Sequence, residues 1–192
     1  MTDPYTDPDS GVLRNRLGIT DRDALLQAEA DLTTAATAVL IDAPLPGVYD
    51  LVHLQAFHRR IFRRIYPWAG EIRTVAIAKT DLFCLPQHIE GYASSTFEQL
   101  AREKHLHGLT RDAFVDRLTH YFAEVNAIHP FREGNGRTQR AFFGQLAREA
   151  GWPIDWSGLD PDENTETAIA SLRGDNSPLR TMLDRLTMID DR

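Results

Sequence analysis

Apolar residues recur along most of this chain at helical spacing. Between Tyr49 and Tyr66, Val52, Ala56, Phe57, Ile61 and Ile65 repeat near a helical period, with Arg59, Arg60, Arg63 and Arg64 between them. Thr20-Asp21-Arg22-Asp23 reads as a capped start, and the alanine-rich sequence with Leu25, Leu26, Leu32 and Leu40 carries a helix over about 20–41 until Pro44, Pro46 and Gly47 stop it. His88 to Glu103 predicts a third helix. Thr110 restarts a fourth, whose stripe Phe114, Leu118, Phe122, Val125 runs toward Ile128 and ends near Pro130. After Gly134-Asn135-Gly136 the helical pattern resumes through Phe142, Phe143 and Leu146 until Gly151 and Pro153. Two short helices are expected near 161–172 and 178–188.

One segment breaks the pattern. Following the Pro67-Trp68-Ala69-Gly70 turn, the run Arg73-Thr74-Val75-Ala76-Ile77-Ala78 suits a strand, so 72–86 is expected to form a β-hairpin flap. No internal repeat is evident. The predicted fold class is mainly α with one small hairpin, a single domain over 1–192 with its core at about 48–152, an N-terminal helix and a C-terminal helical extension at about 155–192.

The chain has 192 residues, 42% apolar and 26% charged, which excludes collagenous, low-complexity and disordered classes. Its only cysteine, Cys84, cannot form an internal disulfide. Met1 to Ser10 lacks an apolar stretch of the signal-peptide kind, and no segment is read as a membrane span, so a soluble, cytoplasmic protein is expected. A net charge of −7 argues against direct nucleic-acid binding. The charge is uneven: 1–50 carries −6, 155–192 carries −5, and 51–154 carries +4, a basic middle that could attract a small polyanion.

The candidate chemistry converges on His129-Pro130-Phe131-Arg132-Glu133-Gly134-Asn135-Gly136-Arg137, with Arg140 three residues on. Glycines around an asparagine allow unusual torsions and leave N–H groups to converge on an anion, and the helix that starts there adds its own N–H groups and positive dipole end. Arg137 and Arg140, at i and i+3, share a helical face and can fork onto successive phosphates. Glu133 beside phosphates makes sense as a Mg²⁺ ligand. His129 is the group in the motif able to accept a proton near neutral pH, the natural general base for an incoming hydroxyl. Pro130 and Phe131 supply geometry.

The string resembles the signature HPFx(D/E)GNGRxxR of Fic proteins at every specified position. The resemblance extends from the Asp-Pro-Tyr and Leu-Gly-Ile-Thr start through the Tyr66 to Gly70 turn and the flap, about residues 3–150. It implies a Fic-type helical bundle that transfers AMP from ATP to a Ser, Thr or Tyr hydroxyl of a target protein. His129 would be the base, Glu133 would hold Mg²⁺, and Gly134, Asn135, Gly136, Arg137 and Arg140 would bind the phosphates. The flap would dock the target as an added strand, with Ile77, Lys79 and Phe83 as candidate docking residues. Gly136 stands where Doc-like relatives, which transfer phosphate, carry lysine. A Doc-like kinase and a non-catalytic nucleotide-binding adaptor are the alternatives.

Many Fic proteins are silenced by a helix bearing (S/T)xxxE(G/N), whose glutamate pairs with the second motif arginine. Glu90-Gly91, Glu133-Gly134 and Glu163-Asn164 are preceded at the required position by Pro86, His129 and Leu159, so none qualifies. The chain therefore resembles the toxin class, in which a small antitoxin supplies that helix. DNA gyrase and topoisomerase IV ATPase subunits are the targets this class implies. Blander readings hold elsewhere: the Arg59 to Arg64 run as a solvated face, Trp152 and Trp156 as packing anchors, His105 and His107 without metal-ligand spacing, and Cys84 as inert.

Overall fold

The computed structural model describes residues 3–78 and 81–188. Within them the chain forms α1 (Arg22–Asp42), α2 (Leu51–Phe62), α3 (Ile89–Arg102), α4 (Arg111–Ile128), α5 (Asn135–Glu149), α6 (Pro161–Leu172) and α7 (Ser177–Leu186). Local chemistry sets several starts. The side chain of Asp21 accepts from the Ala24 N–H, Asp50 from the His53 N–H, and Asp160 from Asp162 and Glu163, each satisfying donors that a helix N-terminus leaves unpaired.

α4 is the central helix. It packs against α3, α5, α6 and α7, and Phe114, Val115, Leu118 and Tyr121 are fully buried along it. α2 lies across α5 and α1, bringing Phe57 and Phe142 to a ring separation of 5.7 Å with near-perpendicular planes. Burying each such ring contributes about 1.5–3 kcal/mol, so the α2–α5 and α4–α5 contacts hold much of the core.

Helix α1 corrects one expectation. It is long and apolar enough to cross a membrane by length and composition, with a mean hydropathy of 1.2 over its most apolar stretch. Alanines and leucines produce that value, yet the helix also buries Glu29 against the cationic side chain of Arg137 on α5. Its packing on α2 and α5 is that of a core-flanking helix.

The flap is the larger correction. No β-strand forms among the described residues; the segment carries one isolated antiparallel bridge, Ala78 to Leu82, and a Phe83 N–H to Ile77 carbonyl bond of 3.3 Å. Other partners hold the backbone groups that a hairpin would pair. The Thr74 N–H donates to the Tyr5 hydroxyl (3.0 Å), the Val75 carbonyl accepts from Arg73 (2.7 Å), and the Cys84 N–H donates to the Ala127 carbonyl (3.0 Å). Lys79 lies outside the described residues.

Candidate active site

The motif spans the end of α4, a tight loop and the first turn of α5. His129 is the C-cap of α4, held in the left-handed region at φ 46°, ψ 61°, with its N–H on the Val125 carbonyl (3.0 Å). A non-glycine residue there is strained, so the surroundings must enforce it. Its imidazole Nδ1 lies 3.2 Å from the Asn126 carbonyl, and only an Nδ1–H can make that bond. Nε2 is thereby the basic nitrogen of the ring. One face of the ring is covered by Phe83, stacked at 3.7 Å and 17°.

Asn135 closes the loop with both ends of its amide. Its Oδ1 accepts from the Phe131 N–H (2.9 Å) and its Nδ2 donates to the Phe131 carbonyl (2.8 Å). With the side-chain amide engaged in the loop, the backbone N–H of Asn135, in the first turn of α5, is available to serve a ligand. Gly134, at φ 83°, begins α5, and a Cβ there would lie 2.2 Å from the Phe62 ring, so torsion and space both require glycine. Gly136 differs from the sequence-based reading: it has ordinary helical torsions, and a Cβ would meet only Arg140 Nη1 at 3.4 Å. What it offers is exposed, unshielded backbone in a turn whose N–H groups have no acceptor within the helix.

Beneath the loop, His58 supports the carbonyl that precedes Gly134. Its Nδ1 accepts from the Gly70 N–H (2.7 Å) and its Nε2 donates to the Glu133 carbonyl (3.0 Å), while Phe131 stacks on the ring at 3.9 Å. Burial pulls the His58 pKa down to about 3, so the ring is neutral at every working pH.

The two arginines part company. Arg137 is held by the Glu29 carboxylate, lies 3.4 Å from Glu133 and sits over the Phe62 ring at 4.9 Å. Tyr66 donates to the other Glu29 oxygen, and burial followed by that hydrogen bond pushes the phenol's pKa up. Arg140 makes no ion pair among the described residues, and burial, then the nearby Arg137, pull its pKa below the ordinary value. An uncompensated, half-buried cation favours an anion.

These groups share a cavity of about 320 Å³ lined by His129, Glu133, Gly136 and Arg140, by Ile77 and Phe83 of the flap, and by Asn164, Thr165 and Ile169 of α6. Arg137 instead joins Arg140 along a second groove, of about 720 Å³, against α1. The sequence reading missed the α6 wall, along with Glu29, His58 and Arg73, which carry no local motif. Phe83 is buried against His129, so its ring shapes the base's environment. Glu133 accepts from the Gly134 N–H through Oε1 (2.8 Å) and is half exposed; no group of three metal-binding side chains exists among the described residues. A single hard carboxylate beside a phosphate cradle fits Mg²⁺, which commonly completes its shell with substrate phosphates and water.

Comparison with known proteins agrees with this architecture. The Fic/DOC family profile matches residues 48–147. The chain is 43% identical over 189 residues to the protein adenylyltransferase VbhT of Bartonella schoenbuchensis, covering 98% of this chain and 39% of that relative. It is 39% identical to the probable protein adenylyltransferase Fic of Salmonella typhimurium, covering 95% of this chain and 91% of the relative. Among solved structures, BepC of Bartonella tribocorum with bound AMPPNP superposes with a TM-score of 0.90 at 23% identity over 97% of both chains, a likeness of fold. The N-terminal Fic domain of a Bartonella quintana effector with bound ADP gives 0.90 at 26% identity, covering 97% of this chain and 95% of that one. The chain belongs to the Fic/DOC family, and its class is that of the protein adenylyltransferases.

Proposed function

We propose that this chain binds ATP in the His129 cavity and transfers its AMP to a Ser, Thr or Tyr hydroxyl of a target protein. The observation that carries the reading is the placement of His129: its Nδ1 lies 3.2 Å from the Asn126 carbonyl, which assigns the basic role to Nε2, and the residue shares a cavity with the α5 N-terminus and with Arg140, which makes no ion pair among the described residues. The hydroxyl oxygen attacks the α-phosphorus while its proton passes to Nε2. The bond from the α-phosphorus to its bridging oxygen breaks, and pyrophosphate leaves with the electron pair. Charge developing on the phosphate oxygens meets the first-turn N–H groups of α5 and Arg140, groups already in place before reaction. Mg²⁺, when bound, would neutralise phosphate charge, and Glu133 is the residue that would hold it.

The flap would hold the target segment by backbone pairing near Ala76, where its own carbonyls and N–H groups are not committed to Arg73, Tyr5 or Ala127. The same reading casts the chain as a cytoplasmic toxin. Its antitoxin would lay a glutamate-bearing helix in the groove between α1 and α5 and compete with ATP for Arg140. ATPase subunits of DNA gyrase and topoisomerase IV are the first targets to try. ATP labelled at the α- or γ-phosphate, offered with those subunits and with a bacterial lysate, tests the proposal. The α label alone should move, and His129→Ala should abolish it; transfer of the γ label would make the protein a kinase.

A further inference from the structure

Arg73 is 1% exposed, and no carboxylate pairs with it among the described residues. Its guanidinium is satisfied by carbonyl oxygens alone. Nε donates to His129 (2.8 Å), Nη1 to Val75 (2.7 Å), and Nη2 to Cys84 and to Ile128 (3.3 Å). Its backbone N–H adds a bond to the Pro130 carbonyl (2.9 Å). The buried charge is tolerable because it lies at the C-terminal end of α4, where unpaired carbonyls gather the negative end of the helix dipole.

The placement of those acceptors is informative. Ile128, His129 and Pro130 are consecutive residues around the strained left-handed turn that presents the imidazole, whereas Val75 and Cys84 are the two feet of the flap. Phe83, next to one foot, stacks on the imidazole itself. One planar fork therefore joins three things that the reaction needs in register: the backbone under the base, the segment leading into the flap and the segment leading out. Lysine, with its donors on a single nitrogen, cannot span the same acceptors.

We propose that Arg73 is a positioning residue for the transfer reaction, tying both feet of the flap to the backbone of His129 so that a hydroxyl presented on the flap stays in reach of Nε2. The proposal rests on the adenylyl-transfer reading. Arg73 touches none of the groups that would bind the nucleotide's phosphates, so its loss should act on the chemical step and leave ATP binding alone.

Arg73→Lys and Arg73→Gln, checked for folding by circular dichroism, should lower kcat by about 30- to 100-fold, the scale of a misplacement near 1 Å. The Kd and KM for ATP should change less than about 3-fold, and a loss confined to stability would leave kcat of the folded protein unchanged. A folded Arg73→Lys with wild-type kcat, or one whose defect lies in ATP affinity, overturns the proposal. Should both variants fail to fold, hydrogen exchange on the wild-type protein decides. The Arg73 amide, bonded to the Pro130 carbonyl, should share the slow exchange of the His129 amide, and an Arg73 amide that opens freely while His129 stays protected overturns the coupling. Absence of AMP transfer by the wild-type protein would defeat the adenylyl-transfer reading and leave the exchange result to judge the coupling by itself.

Discussion

Acid should destabilise this protein through His58 well before its carboxylates protonate. His58 is neutral in the folded state, its Nδ1 accepting from Gly70 and its Nε2–H donating to the carbonyl of Glu133, with a pKa of about 3 against an ordinary 6.5. Below pH 6.5 the unfolded chain takes up a proton that the folded chain refuses. Stability therefore falls with falling pH from 6.5 down to about 3, at about 1.4 kcal/mol per unit, which is about 2 kcal/mol by pH 5. His53, whose pKa burial also lowers, adds in the same direction. His58→Gln keeps a donor for the Glu133 carbonyl and removes the titration. Urea unfolding of the wild type and this variant at several pH values between 7 and 5 isolates the His58 contribution, because every other group cancels in the comparison. The variant should start lower at pH 7, having lost the stack on Phe131, and then decline less steeply by about one proton's worth of slope. Parallel declines would refute the buried neutral imidazole as support for the phosphate loop.

Three further outcomes follow from the geometry. Arg140→Ala should weaken ATP binding by roughly 10- to 100-fold in calorimetry with little loss of stability, since the side chain makes no ion pair among the described residues. Arg137→Ala should cost about 3 kcal/mol in denaturant unfolding, because Glu29 is left buried without its cation, and adding Glu29→Gln should recover part of that loss. Gly134→Ala should destabilise by more than about 2 kcal/mol and abolish transfer, since its Cβ would enter the Phe62 ring at a φ that alanine avoids.

The parts legible in the sequence were those fixed by neighbours in the chain. Asp21 caps its helix within the next turn, and the loop from His129 to Arg137 closes on itself through Asn135 and Phe131, so local chemistry sufficed. What escaped was decided across long separations. The run Arg73 to Ala78 suits a strand, but Tyr5, Arg73 and Ala127 take the hydrogen bonds a hairpin needs. Spacing places Arg137 and Arg140 on one face. It cannot say that Glu29, 108 residues earlier, captures the first and leaves the second to the cavity. Nor does the polar sequence of α6 announce that Asn164 and Thr165 wall the site.

The most direct test is the identity of the small product released when purified protein, ATP, Mg²⁺ and an acceptor protein react, with His129→Ala alongside. Attack at the α-phosphorus with Nε2 as base predicts pyrophosphate, formed in step with the modified acceptor and absent with His129→Ala. Release of ADP, or pyrophosphate formed equally well by His129→Ala, would contradict the account.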